Sequence, residues 1–245
     1  CGRVFGDRLT TPSEFTRFLE MLTDCTKKYF EDVEQDLVHE EPLLFTSFCT
    51  QSMSDEYVYV DVTSWSQVRA TLEEKLKQYN ESNAIMNLVL FDEAIEHVCR
   101  ISRILETPRG NALLVGVGGS GKQSLCRLAA YLRNLPIVTL PVTSDYTALD
   151  LKEHLKSLYS KAAVRPAEPL AFMLTDSMIV DEIFLVLIND LLSSGYIPDL
   201  FSSEEYDGIF GMLRNDAKSA GIPETRDNMM EFFLERVRSN LHVVM

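Results

Sequence analysis

Residues Gly116-Val117-Gly118-Gly119-Ser120-Gly121-Lys122-Gln123-Ser124 are the stretch of this sequence whose types and spacing could do chemistry. A short apolar run, Ala112 to Val115, precedes them, and Leu125, Leu128, Ala129 and Leu132 follow at helical spacing, so the order is strand, glycine-rich turn, helix. In that setting Gly116-x4-Gly121-Lys122 is a phosphate-binding loop. The glycines let successive backbone N–H groups converge on an anion, and a helix opening near Lys122 adds the positive end of its dipole. The lysine ammonium then reaches the terminal phosphates.

Gly116-x-Gly118-x-x-Gly121 also satisfies the dinucleotide fingerprint, which expects an acid at the end of the second strand to hold a ribose. That strand, Ile137 to Leu140, ends in Pro141, and Asp145 lies beyond the proline. A lysine directly after the last glycine is what a phosphate loop needs. The residue after Lys122 is less usual: a Ser or Thr there supplies a hydroxyl to magnesium, and here it is Gln123. Ser124 comes next, but one residue along a helix is about 100° of rotation, so its hydroxyl does not simply substitute. Nucleotide binding is therefore better supported than tight positioning of a metal.

A second carrier of chemistry is the apolar run Leu170-Ala-Phe-Met-Leu-Thr175, which delivers Asp176 at its end. Phosphate-loop proteins place an aspartate there to hold magnesium or its waters. Ser177 follows it and cannot serve as a base at neutral pH, although general-base catalysis typically contributes about 10²–10⁴ in rate. Asp181 and Glu182 precede Phe184, Leu187, Ile188 and Leu191 at helical spacing, and read as acids of a first helical turn favoured by its dipole.

The elements that must position these groups alternate. Thr11-Pro12-Ser13-Glu14 is a capping box opening a helix that the pattern carries to residue 37, ended by Glu40-Glu41-Pro42. Leu43 to Phe48 and Tyr57 to Val62 read as strands around a polar stretch, and Ser64 to Tyr79 as a helix with Ser64 and Gln67 in capping-box spacing. From Asn83 the character changes. Leu88-Val89-Leu90-Phe91 leads into an amphipathic helix stopped at Thr107-Pro108-Arg109-Gly110, followed by a strand at 112–116, the loop helix, and a strand at 137–140. Helix 147–163, strand 170–175, helices 180–194, 203–219 and 226–239, and a strand opening at Leu241 complete the series. Strand and helix in turn predict a parallel sheet covered on both faces, with ligand at the carboxyl ends of its strands.

At 245 residues and 46% hydrophobic content the sequence supports one sizeable core with a small appended part. The formal charge of −14 argues against nucleic acid or an anionic membrane as a direct partner, and no run approaches the roughly 20 apolar residues of a membrane span. Five cysteines, Cys1, Cys25, Cys49, Cys99 and Cys126, have no metal-type spacing and read as reduced core thiols. The chain opens on Cys1 and closes in an apolar run at Met245, as a part of a longer polypeptide would.

Four stretches carry a resemblance. Asn87 to Ile104, Leu114 to Ser124, Leu187 to Phe201 and Arg236 to Val244 are similar to the fourth AAA+ module of axonemal dynein heavy chains, and Arg3-Val-Phe-Gly-Asp-Arg-Leu9 is similar to the end of the third module's helical lid. The resemblance implies an α/β P-loop NTPase fold of AAA+ type, a parallel sheet flanked by helices and preceded by a mainly helical segment. It divides the chain into a lid end at 1–40, a connector at 41–82 and an incomplete large subdomain at 83–245. It implies ATP or ADP as ligand, nucleotide-binding residues from Gly116 to Ser124 with phosphate contacts from Gly118 to Gly121 and Lys122, adenine against Leu88, Val89 and Leu90, and Mg2+ at Asp176. The parent would be a minus-end-directed microtubule motor in the cytoplasm and cytoskeleton, at the axoneme of cilia or flagella. Its partners would be neighbouring AAA+ modules of the same heavy chain, other dynein chains, and a microtubule reached through a stalk outside this fragment. Gln123 and Ser177 put turnover in doubt, which leaves three readings: a regulatory or structural nucleotide, a hydrolysing site with Glu182 or a neighbour as base, or a mechanical ring spacer with an empty loop.

Overall fold

The computed structural model describes residues 5, 9–30, 44–49, 60–62, 64–141, 145–164 and 166–245. In chain order the elements are α1 (Pro12–Tyr29), β1 (Leu44–Thr46), β2 (Val60–Val62), α2 (Trp65–Ser82), α3 (Asp92–Glu106), α4 (Lys122–Leu132), β3 (Ile137–Thr139), α5 (Ala148–Ala163), β4 (Leu170–Met173), α6 (Glu182–Ser193), α7 (Ser203–Ser219), α8 (Arg226–Asn240) and β5 (Leu241–Val244).

The parallel sheet that the alternation predicts is present, in the order β3-β4-β5, with Val138 opposite Phe172 and Phe172 opposite Val243. All four residues of β4 are buried, as expected of a strand covered on both faces. Its side chains divide by the two-residue period: Leu170 and Phe172 join a core with α5, α6, α7 and α8, whereas Ala171 and Met173 join one with α2, α3 and α4. The expected strand at 112–116 is reduced to a parallel bridge between Ala112 and Val244. The Ala112 N–H donates to Val243 O at 2.9 Å, the Met245 N–H to Ala112 O at 2.9 Å and the Leu114 N–H to Met245 O at 2.7 Å.

Helix starts follow side-chain chemistry. Thr11 and Glu14 exchange both bonds of a capping box, with Pro12 in the first turn. Thr147 with Asp150, and Ser202 with Glu205, do the same for α5 and α7. Ser64 caps α2 by position only: its hydroxyl bonds Ser66 Oγ, so the expected box with Gln67 does not form. Helix α1 closes at Phe30, short of residue 37; Val33 and Leu37, the stop at Glu40 to Pro42, the polar stretch at 50–56 and the strand residues Tyr57 to Tyr59 lie outside the described residues.

Val68, Leu72 and Tyr79 of α2 pack with α3 and α4, across the compositional change at residue 82. Short strand β1 is tied to the same layer: Ser47 donates to Glu106 Oε2 at 3.0 Å and accepts from Arg133 at 3.2 Å, while Arg133 and Glu106 pair at 3.4 Å. Cys99 and Cys126 are buried, and desolvation pushes each thiol up to about 12. Cys25 departs from the core-thiol expectation: it is exposed, on an α1 whose only buried residue is Thr26. Among the described residues no helix is long and apolar enough to cross a membrane.

Candidate functional site

The loop is launched from a clamp between the end of α3 and β5. Gly110 donates to Thr107 O at 2.9 Å, and a Cβ at Gly110 would lie 1.8 Å from Ile104 O, so the backbone turns through a space that only glycine fits. His242 of β5 donates from Nδ1 to Gly110 O at 2.7 Å, which fixes the neutral tautomer with its proton on that nitrogen. Burial holds this imidazole below its ordinary value; the bond to Gly110 acts in the opposite sense, and Arg133 adds to the lowering. Asn111 completes the clamp by accepting from the Val243 N–H at 2.7 Å.

Beyond Leu114 the chain leaves β5 and turns through the glycines. Gly119 and Gly121 adopt φ of 76° and 79°, the left-handed region that residues with a Cβ rarely enter. Gly121 is the N-cap of α4, and Lys122 is its first residue. The Lys122 ammonium donates to Gly116 O at 2.6 Å and to Val117 O at 2.8 Å, with Ser120 Oγ at 3.4 Å. The loop thus wraps the cation that serves it.

Leu174 extends β4 by donating to Val244 O at 2.8 Å, after which Thr175 opens a single 3-10 turn, Asp176–Met178. That turn faces the loop across a cavity of about 670 Å3 whose walls include Gly116, Gly118 to Ser124, Thr175, Asp176, Ser177 and Ile179. Of the residues the sequence singles out for phosphate and metal, all but Val117 line it. Val117 is 78% exposed and contributes its carbonyl to Lys122.

The segment expected to meet adenine is divided. Leu88 lies by the loop, its Cδ1 3.7 Å from where a Cβ on Gly121 would stand. Val89 is 76% exposed and Leu90 is 8% exposed within the α2–α3–α4 core, as consecutive residues of an extended segment point to opposite sides. None of the three lines the cavity. Glu182 is also outside it, in the first turn of α6, and Asp181 caps that helix by accepting from the Ile183 N–H at 3.0 Å. Thr175 is a site residue that sequence reasoning misses. Its hydroxyl and that of Ser177 are 2.9 Å apart, and its place just before the strand-end aspartate is the signal that could find it.

The donor set bears on magnesium. This ion demands near-octahedral oxygen coordination and takes one or two carboxylates alongside nucleotide phosphates. Among the described residues Asp176 is the single carboxylate side chain in the cavity wall, the hydroxyls of Thr175 and Ser177 bond each other, and a carboxamide stands where a ligating hydroxyl belongs. These residues suit a phosphate anion and fit a directly held magnesium poorly.

A parallel sheet covered by helices on both faces, with a glycine-rich loop and a lysine at its carboxyl edge, is an α/β P-loop NTPase fold. The family described as the P-loop containing dynein motor region D4 matches residues 86–245, and the chain belongs to that family. It is 47% identical over 248 residues to the dynein beta chain of the flagellar outer arm of Chlamydomonas reinhardtii, which covers 100% of this chain. Identity is 44% over 245 residues to the ciliary dynein beta chain of Tripneustes gratilla, again 100% of the chain, and 46% over 243 residues, or 99%, to dynein axonemal heavy chain 17 of Homo sapiens. In each case the chain spans 5% of the length of the relative it matches.

Proposed function

We propose that this chain is the nucleotide-binding fourth AAA+ module of an axonemal dynein motor ring, with the end of the third module's lid at 1–40 and a connector at 41–82, and that it holds ATP or ADP as a regulatory or structural ligand. The observation that carries this reading is a single cavity shared by Gly116, Gly118 to Ser124 and Asp176 at the carboxyl edge of the sheet. Within it the Lys122 ammonium, the loop N–H groups and the opening turn of α4 supply the positive potential for di- or triphosphate. Leu88, next to Gly121, is the residue of its segment best placed for the base.

Hydrolysis is not favoured. Ser177 stands after Asp176 and is bonded to Thr175, and Glu182 is built into α6 outside the cavity. A bound ligand still does mechanical service: at 100 times its dissociation constant it stabilises its host by about 2.7 kcal/mol. The names of the relatives support a place in the axoneme of cilia or flagella. There the module would contact neighbouring modules of its own heavy chain and other dynein chains, with the microtubule reached through a stalk elsewhere in the parent. The test is nucleotide content of the purified full heavy chain and of its Lys122→Ala variant. The variant is expected to carry one nucleotide fewer per chain, and equal content would defeat the reading.

A further inference from the structure

Among the described residues the cavity wall contains one lysine and one aspartate, Lys122 and Asp176, so these side chains present no net charge to whatever enters. Divalent metal normally offsets the phosphates of a bound nucleotide, and the protein's share of its coordination is a hydroxyl from the loop helix plus a strand-end carboxylate. Here the helix offers Gln123, an exposed carboxamide in the first turn of α4, at the cavity wall. A carboxamide brings two N–H donors as well as one neutral oxygen. Its donor end is attracted by a phosphate oxygen and repelled by a cation. The remaining nearby hydroxyls do not make up the loss: Thr175 and Ser177 bond each other, Ser120 lies 3.4 Å from the Lys122 ammonium, and Ser124, one residue further along α4, is turned by about 100° from the position of the usual ligating hydroxyl.

On these grounds we infer that this site binds its nucleotide as the metal-free anion, with the Gln123 side-chain amide donating to a phosphate oxygen where other phosphate loops place magnesium. The inference rests on the nucleotide-binding reading above and goes beyond it. Gln123 is the specificity-determining residue: it sets which form of the nucleotide, free or metal-complexed, the cavity prefers. Lys122 and the loop N–H groups hold the phosphates, and Asp176 faces them through water.

The experiment uses the full heavy chain and four forms of it: wild type, Lys122→Ala, Gln123→Thr and Gln123→Ala. Each is dialysed against magnesium or against EDTA, and retained nucleotide is extracted and counted per chain. The nucleotide of this module is the difference between a given form and Lys122→Ala in the same buffer. In the wild type that difference is expected to stay within about twofold between the two buffers, and density in an electron cryo-microscopy map of the EDTA sample should show nucleotide at Lys122. Gln123→Thr, which restores a hydroxyl, should become chelator-sensitive. Gln123→Ala should bind about tenfold more weakly in both buffers, the factor carried by one hydrogen bond to a charged group.

Retention in magnesium with loss in EDTA by the wild type overturns the inference and leaves the nucleotide-binding reading intact. A Gln123→Ala form that retains nucleotide as the wild type does overturns the role given to Gln123. No difference from Lys122→Ala in either buffer overturns both readings.

Discussion

Replacing Gly110 by alanine tests whether the loop depends on the clamp behind it. The new Cβ would stand 1.8 Å from Ile104 O and 2.8 Å from both Ile104 C and Thr107 O. All three are backbone atoms, so no side-chain rotation relieves the clash, and the chain must move by about an ångström or more. Three bonds resist that movement: Gly110 to Thr107 O at 2.9 Å, His242 Nδ1 to Gly110 O at 2.7 Å, and Val243 to Asn111 Oδ1 at 2.7 Å. Overpacking costs about 1–3 kcal/mol and each lost hydrogen bond about 1 kcal/mol, so with one or two bonds broken the substitution costs roughly 2–5 kcal/mol. That is a sizeable part of a typical domain stability of about 5–15 kcal/mol. Hydrogen–deuterium exchange on the full heavy chain reads the effect locally. Amides of residues 112–114 and 241–245 should exchange roughly thirtyfold faster or more, since tenfold corresponds to about 1.4 kcal/mol. Exchange within twofold of the wild type in both segments would refute the argument that Gly110 is required by close approach.

Two further substitutions probe the site from other directions. A Cβ added at Gly118 would meet no heavy atom within 4 Å, and this glycine is not among those with positive φ, so Gly118→Ala should leave exchange in the sheet unchanged while lowering the nucleotide retained at this module; full retention would show that phosphate does not use that space. Burial holds His242 and His154 below the ordinary imidazole value of 6.5. The unfolded chain therefore takes up protons that the folded chain refuses, and stability should decline as pH falls from about 6.5 towards the lowered values and level off beneath them. His242→Asn, which keeps a donor near Nδ1, should flatten part of that decline in pH-corrected exchange of β5, and an unchanged slope would contradict it.

The sequence pattern conveys the parallel sheet, the loop and most helix spans because each rests on local signals: apolar periodicity, capping pairs and glycines at the turns. Thr11 with Glu14 behaves as such a signal predicts. Ser64 with Gln67 does not, because a nearer hydroxyl, Ser66, competes for the capping oxygen. The strand before the loop is paired with β5 and Met245 from Ala112 to Leu114, in keeping with its apolar run. Gly116, Gly118 to Ser124 and Asp176 can be placed together from motif and strand end alone. The His242 to Gly110 bond cannot, because it joins residues 132 positions apart and no local pattern links the two.

Helix α8 ends at Asn240 and β5 begins at Leu241, so helix passes into strand with no flexible joint. Asn240 is pinned by donating to Ala162 O at 2.8 Å, and β5 in turn carries the 110–114 segment from which the glycine turn departs. Regular helix and paired strand are stiff compared with a loop. A displacement along α8 would therefore reach the glycine turn through β5 with no loop to absorb it, and a displacement at the turn would reach α8 by the same path.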